Sequence, residues 1–192
     1  VNTPGVKRAE ADENDESEGI LLDKVKAKAY RGLAALGNFM AQDAPDIGYA
    51  AKEISKSMSS PVIGDIPQLK RLGRYLTKHP TRVYLYQWQP LPDKISGYSD
   101  SDWGGDRSTR RSTSGGCIMA GAHLLAQRSR TQHVISLSSG EAELHAICAC
   151  ATEGLALRKI CVEMGVACDL ELLTDSSAAK GIVMRQGAGR VK

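Results

Sequence analysis

The sequence predicts an α/β protein in which a mixed sheet with flanking helices follows residue 81 and a small helical segment precedes it. Apolar residues recur with the period of a helix up to Pro80. From Arg82 the period changes to the two-residue alternation of a strand, and strands and helices then follow one another to the end of the chain. With 192 residues, 42% of them hydrophobic, the chain can bury one main core and a smaller one.

Residues 1–22 carry an acidic run from Glu10 to Glu18 and little large apolar surface. Such a segment cannot bury enough surface to offset its chain entropy, so we predict a disordered acidic linker. Seven of the 22 acidic residues lie between Ala9 and Asp23, without a basic residue among them. The rest of the chain therefore has a surplus of about ten basic charges, which suits either a polyanion such as nucleic acid or an ordinary basic surface.

Three helices are predicted between residues 23 and 80. The first covers 23–42 and places apolar residues at helical spacing: Val25, Ala29, Leu33, Leu36 and Met40. The second begins near Pro45 with Asp43 as its cap, and ends at a break over 59–64. Its buried stripe is predicted to contain Ile47, Ala51, Ile54 and Met58. The third opens at Asp65, in a capping box with Gln68, and closes before Pro80.

The third predicted helix has a basic row on the side away from its leucines. The row consists of Lys70, Arg71, Arg74 and Lys78. Two interpretations remain open for it, a solvated face that keeps its charges in water and a row of phosphate contacts.

Four strands are predicted from the alternation that follows residue 81, over 83–88, 94–102, 113–120 and 123–128. The first ends at the turn from Pro90 to Pro92. The turn at Gly121 and Ala122 closes a hairpin over 113–129.

A long helix is predicted from Ser139 to about Met164, because Ser138 and Glu141 form a capping box and Gly165 supplies a stop. A short apolar strand over 170–174 follows, and a last helix runs from 175 to about Gln186. This order of elements is that of a layered α/β domain.

The five cysteines lie mostly in apolar runs and include no Cys-x-x-Cys spacing. We therefore expect reduced core thiols in an intracellular protein, with a metal or disulfide role as the alternative. The longest apolar stretch, Ala142–Ala151, is far shorter than the roughly 20 residues of a membrane span, so no membrane partner is expected.

Three acidic residues occupy places where acids are not the default. Asp100 interrupts a strand, Glu143 lies in the second turn of the long helix, and Asp175 follows a short buried strand. Carboxylates in such places repel one another unless a cation neutralises them, which suggests a site for a hard metal ion. Glu141 is the rival of Glu143, but its place in the capping box gives it a structural role. Asp102 is interpreted either as a group supporting Asp100 or as a solvated loop acid.

Four motifs in order resemble the ribonuclease H domain of copia-type LTR retrotransposon polyproteins. They are GYSDSDWGGD at 97–106, RRSTSG at 110–115, SLSSGEAEL at 136–144 and TDSSAA at 174–179. Upstream, three segments are similar to the connection between reverse transcriptase and ribonuclease H in these elements: YRGL at 30–33, AQDAPDI at 41–47 and LKRLGRYL at 69–76.

The resemblance implies a linker over 1–22, a helical, thumb-like connection over 23–80 and a C-terminally truncated ribonuclease H-like domain over 81–192. It makes Asp100, Glu143 and Asp175 the catalytic, metal-binding carboxylates of a site for two Mg²⁺ or Mn²⁺ ions, with Asp100 as the bridge. A fourth carboxylate is expected beyond Lys192, so we expect this chain alone to be weakly active or inactive.

The implied reaction is cleavage of the RNA strand of an RNA–DNA hybrid during reverse transcription, with discrimination by 2′-OH contacts and hybrid shape. Expected backbone contacts are the four basic-row residues together with Arg110, Arg111, Arg128 and Arg130. The expected partners are the hybrid and the remainder of the Pol polyprotein, in a cytoplasmic particle or the nucleus. The alternative is an inactive or host-adopted remnant that only binds nucleic acid.

Overall fold

The computed structural model describes residues 1–6, 19–106 and 108–185. Their helices are α1 (Lys24–Met40), α2 (Gly48–Lys56), α3 (Ile66–Lys78), α4 (Ser139–Glu163) and α5 (Ser177–Val183). Their strands are β1 (Lys94–Asp102), β2 (Thr113–Ala120), β3 (His123–Thr131) and β4 (Asp169–Leu173). The chain divides into two compact units, a helical unit over residues 1–84 and a sheet unit over residues 85–192.

The helical unit packs α1, α2 and α3 around a small core. Tyr30, Ile47, Ile54 and Leu72 are all buried there, and the Tyr30 hydroxyl donates to the Ile54 carbonyl at 2.8 Å. Helices α1 and α3 approach closely at Gly37, where a Cβ atom would lie 3.3 Å from Leu72 Cδ2. Small residues on α1 therefore set how closely this helix packs.

The buried face of α1 differs from the prediction. The structure buries Ala27, Tyr30, Ala34 and Gly37, whereas most of the predicted stripe is exposed. The exposed fractions are 78% for Val25, 53% for Leu33, 53% for Leu36 and 67% for the adjacent Phe39. Helix α1 has two apolar faces, and the face with small residues lets the neighbouring helices approach while Tyr30 reaches a carbonyl acceptor.

Two of the predicted helix caps are wrong. Asp43 caps nothing, because a 3-10 turn at Pro45–Ile47 precedes α2 and Ala44 occupies its cap position. A second 3-10 turn, Ile63–Asp65, precedes α3. Asp65 already has helical φ and ψ values of −86° and −19° rather than the extended values of a cap. Its carboxylate instead accepts from the Val62 amide at 2.9 Å.

The predicted strand over 83–88 is wrong. The described structure has no strand between α3 and β1, because the two neighbours that pair with β1 are β2 and β4. A side chain directly after this segment contacts the sheet instead. Gln89 donates to the Ala120 carbonyl at 2.7 Å and accepts from the Ala122 amide at 3.0 Å. It thereby clamps the turn between β2 and β3, where Gly121 has a φ of +58°.

The sheet unit contains a four-stranded mixed sheet in the order β3-β2-β1-β4. Strands β1, β2 and β3 are antiparallel neighbours, while β4 is parallel to β1. The predicted bounds of β1 and β2 and the turn that joins β2 to β3 are confirmed. Strand β3 extends three residues beyond its predicted end at 128, and β4 begins and ends one residue earlier than predicted. The α/β fold class is confirmed as well, and this arrangement is compatible with a ribonuclease H-like fold.

Helix α4 lies against the sheet, and glycines permit the close approach. A Cβ atom at Gly97 of β1 would lie 2.8 Å from Cys150 Sγ on α4, and one at Gly154 would lie 2.7 Å from Leu170 Cδ1 on β4. The core here contains Ile95, Ile118 and Cys150. The middle of α4 thus packs closely against β1, which carries Asp100, and β4, which precedes Asp175.

Only part of each chain end lies within the described residues. Most of the predicted linker, residues 7–18, lies outside the described residues, as do Gln186 and the residues after it. At the end of the linker, Leu21 pairs with Val62 in an isolated bridge. All five cysteines are free, with Cys150 and Cys168 buried and Cys148 exposed. No helix among the described residues combines the length and the apolar character that a membrane span requires.

Candidate metal centre

The three candidate acids come from three elements that meet at one end of the sheet. Because β1 and β4 are parallel, their carboxyl ends lie at the same edge, with Tyr98 paired to Leu173. Asp100 follows Tyr98 by two residues and Asp175 follows Leu173 by two residues. Glu143 reaches the same place from the second turn of α4, a helix that Ser138 caps by accepting from the Glu141 amide at 3.2 Å.

The side chains of these three residues form a compact cluster. One oxygen of each carboxylate lies within 4.8 Å of the corresponding oxygens of the other two. None of the three forms an ion pair with a described residue, so their negative charges face one another without a neutralising side chain. A hard divalent cation is the ligand that such an oxygen set accommodates best.

Glu143 is the buried member of the cluster, with 8% of the residue exposed. Its Oε1 atom accepts from both the amide and the hydroxyl of Ser101, at 3.0 and 2.8 Å. Its Oε2 atom is buried and has no hydrogen-bond partner among the described residues. A buried carboxylate oxygen without a donor is costly, and this oxygen is therefore a candidate metal ligand.

Two nearby acids lie outside the cluster. The Glu141 carboxylate accepts from the Leu137 amide at 2.7 Å, one residue before the Ser138 amide that a capping box would use, so it still serves the N-terminus of α4. The Asp102 carboxylate lies so close to Gly105 that a Cβ atom there would collide with it. The structure therefore brings Glu143, and neither Glu141 nor Asp102, to Asp100 and Asp175.

The buried polar residues that support the cluster were not predicted from the sequence. The Gln132 amide nitrogen donates to the Ala142 carbonyl and to Ser114 Oγ, both at 2.9 Å. Its amide oxygen accepts from Ser136 Oγ at 3.0 Å, and the Ser136 carbonyl accepts from the Trp103 indole at 3.0 Å. This network ties the loop after β1 to the residue before Glu143. The only signal in the sequence is a polar residue close after an amphipathic strand, which is too common to single out Gln132.

The predicted nucleic-acid contacts occupy different environments. On α3, Lys70 and Arg74 are exposed. Arg71 and Lys78 instead contact the start of the chain, since Arg71 donates to Thr3 Oγ1 and Lys78 to Asn2 Oδ1, each at 2.7 Å. Two members of the basic row are therefore engaged within the helical unit.

The remaining predicted basic contacts lie in the sheet unit. Arg110 and Arg111 are exposed on the loop between β1 and β2, where Arg110 has a strained φ of +58°. Arg130 is exposed on β3. Arg128 has a structural contact, because it donates to the Ala149 carbonyl of α4 at 2.9 Å and lies 3.4 Å from the Glu153 carboxylate.

Fold and site together define an α/β protein with a three-carboxylate centre suited to a divalent cation. The chain is 31% identical over 138 residues, 71% of its length, to the retrovirus-related Pol polyprotein from transposon RE1 of Arabidopsis thaliana. It is 32% identical over 124 residues, 65% of its length, to the uncharacterized mitochondrial protein AtMg00810 of the same plant. A third relative is the secreted RxLR effector protein 161 of Plasmopara viticola, 34% identical over 116 residues, which are 60% of this chain and 80% of that protein. The match to the RE1 polyprotein supports a fragment of a retrovirus-related Pol polyprotein of a transposon, and a similar match to the RE2 polyprotein, 30% identical over 138 residues, agrees with it.

The matches cover unequal shares of these relatives. The chain spans 9% of the RE1 polyprotein and 51% of the mitochondrial protein. No family model matches the chain, and no solved structure matches it.

Proposed function

We propose that this part of the polyprotein hydrolyses the RNA strand of RNA–DNA hybrids, using divalent cations bound by Asp100, Glu143 and Asp175. The observation that carries the proposal is the convergence of three carboxylates within 4.8 Å, together with the buried Glu143 oxygen that has no partner among the described residues. The similarity to transposon Pol polyproteins supports it, because a retroelement polyprotein is a context in which such hybrids arise.

The donor set fits Mg²⁺ or Mn²⁺, since all three groups offer carboxylate oxygens, which hard divalent cations prefer. Such ions, when bound, supply an activated water and stabilise the leaving oxygen of a phosphodiester. The protein's own carboxylates bind these ions and orient them. Asp100 and Asp175 contribute exposed carboxylates at the edge of the sheet, and Glu143 contributes a buried carboxylate from α4.

Exposed basic side chains on the loop after β1 support a polyanionic substrate. Arg110 and Arg111 lie on the loop that follows β1, the strand that carries Asp100. Guanidinium groups bind backbone phosphates without reading bases, as recognition by hybrid shape and 2′-OH contacts requires. A place in a cytoplasmic particle or the nucleus belongs to the same proposal.

The test is cleavage of a labelled RNA strand in an RNA–DNA hybrid with Mg²⁺, in this chain and in a longer product of its reading frame. Asp100→Asn should lower the cleavage rate at least about a hundredfold, since losing a ligand costs at least as much as losing a group that supports one. Glu141→Gln is the matched control, because Gln serves the same position of a capping box, and it should retain most of the activity.

Two outcomes would contradict the proposal. Undiminished cleavage by Asp100→Asn would mean that the three acids are not the site. Binding of the hybrid without cleavage in both chain lengths, with equal affinity in wild type and Asp100→Asn, would support the alternative of a module that only binds nucleic acid.

A further inference from the structure

Ser101 lies between two acids of β1, and its backbone and side chain both face the candidate metal centre. Its amide hydrogen is shared between Asp100 Oδ1 at 2.8 Å and Glu143 Oε1 at 3.0 Å. Its hydroxyl donates to the same Glu143 oxygen at 2.8 Å. One residue therefore contacts two of the three carboxylates, and it donates both of the hydrogen bonds that Glu143 Oε1 accepts from the described residues.

The two carboxylate oxygens of Glu143 consequently differ in their hydrogen bonding. Oε1 accepts two hydrogen bonds from Ser101, whereas Oε2 is buried without a partner among the described residues. A glutamate side chain has several rotatable bonds, and fixing it costs conformational entropy. A group that fixes Glu143 before a cation arrives removes that cost from the binding step.

We propose that Ser101 is a positioning residue that holds Glu143 by Oε1, leaves Oε2 as the metal ligand and thereby sets the affinity of the centre for divalent cations. This inference rests on the proposed function of the same site. Groups that orient a metal ligand in this way typically change metal affinity by about 10–100-fold when they are removed.

Both sides of the contact between Ser101 and Glu143 are anchored. The backbone of Ser101 is paired with Ser114 of β2 in the sheet. On the other side, Gln132 holds the Ala142 carbonyl, one residue before Glu143, at 2.9 Å. Since neither main chain is free to adjust, the Ser101 hydroxyl acts on the Glu143 side chain rather than on the fold as a whole.

The experiment measures Mn²⁺ binding to the whole chain by calorimetry, without substrate. Ser101→Ala removes the hydroxyl and should weaken Mn²⁺ binding about tenfold, the lower end of the range for such groups because the amide donor remains. Ser99→Ala is the matched control. Ser99 lies on the same strand and is buried, whereas Ser101 is partly buried, and among the described residues the Ser99 hydroxyl contacts only the Leu173 carbonyl, at 3.4 Å. This variant should bind Mn²⁺ within about twofold of the wild type.

A second pair of variants separates the hydroxyl from any effect on folding. Ser101→Thr and Ser101→Val have nearly the same shape and differ in the hydroxyl, so any cost of a branched side chain is common to both. We expect Ser101→Thr to bind Mn²⁺ several-fold more tightly than Ser101→Val. Equal affinities of these two variants would overturn the positioning role.

Glu143→Gln distinguishes failure of this inference from failure of the proposed function. If Glu143→Gln binds Mn²⁺ as tightly as the wild type, the metal centre itself is wrong. If Glu143→Gln loses binding while Ser101→Ala and Ser101→Val do not, only the role of Ser101 is wrong. In the Glu143→Gln background, Ser101→Ala should have no further effect, because the carboxylate it positions is gone.

Discussion

Asp46 in the helical unit and Glu143 in the sheet unit are carboxylates with opposite surroundings. Asp46 is the more exposed of the two, yet it accepts from Arg82 Nε at 2.9 Å and from the Tyr75 hydroxyl at 2.8 Å. Glu143 is buried and leaves one oxygen without a partner among the described residues. The exposed carboxylate of Asp46 is thus paired with a cationic side chain, whereas the buried carboxylate of Glu143 has an oxygen without a partner among the described residues.

The pKa of Asp46 reflects this balance. Burial acts to raise the pKa, but the hydrogen bonds from Arg82 and Tyr75 outweigh it and lower the pKa below its ordinary value of 3.8. Asp46 and Arg82 thus form a structural ion pair, which holds residue 82 against the 3-10 turn that precedes α2.

The largest expected effect is stabilisation of the sheet unit by Mn²⁺. At a free concentration of about 100 times Kd, binding to the folded state adds about 2.7 kcal/mol to the free energy of unfolding. The two tryptophans, Trp88 and Trp103, both lie in residues 85–192, so tryptophan fluorescence during urea unfolding follows this unit. Asp100→Asn should lose the gain. A gain that survives in this variant would mean that Mn²⁺ binds elsewhere.

The next effect belongs to the helical unit. Asp46→Ala removes the partner of Arg82 and should lower the free energy of unfolding by about 1–2 kcal/mol, the range for hydrogen bonds to charged groups at a partly exposed site. Circular dichroism should report the loss while the tryptophan transition stays unchanged. Asp43→Ala, an exposed neighbour that caps nothing, should stay within about 0.5 kcal/mol. Equal losses in both variants would remove the distinction between them.

The ion pair of Asp46 should also appear in the pH dependence of the free energy of unfolding at acidic pH. Because the pKa of Asp46 is lowered in the folded state, its contribution is complete above its ordinary value of 3.8 and is lost as pH falls through the folded-state pKa. One such proton changes the free energy of unfolding by at most about 1.4 kcal/mol per pH unit. Asp46→Asn should therefore flatten the pH dependence of the helical unit below about pH 4. An unchanged slope would show that another group controls it.

The smallest effect concerns the exposed face of α1. Leu36 is 53% exposed, so Leu36→Ala should change the free energy of unfolding of this chain by no more than about 0.5 kcal/mol. Urea unfolding followed by circular dichroism measures the change. A loss of about 2 kcal/mol or more would indicate that α1 buries the face with Leu33 and Leu36 after all.

Elements whose signals are local could be predicted from the sequence. The N-terminus of α4 follows from Ser138 and Glu141, three residues apart, and its end from Gly165, which has a φ of +81°. Strand β1 and the hairpin follow from alternation and a turn. The acids of the candidate site could be selected for the same reason, since their positions at strand ends and in a helix turn are visible within a few residues.

The tertiary structure decided what depends on distant partners. The buried face of α1 depends on the close approach of Leu72 to Gly37, and residues 83–88 form no strand because β1 pairs with β2 and β4. The contact of Ser101 with Glu143 joins residues 42 positions apart. Hydrophobic periodicity and helix capping depend on residues that are close in sequence. Burial, strand pairing and the lack of a partner for a buried oxygen depend on surfaces that meet only in the folded chain.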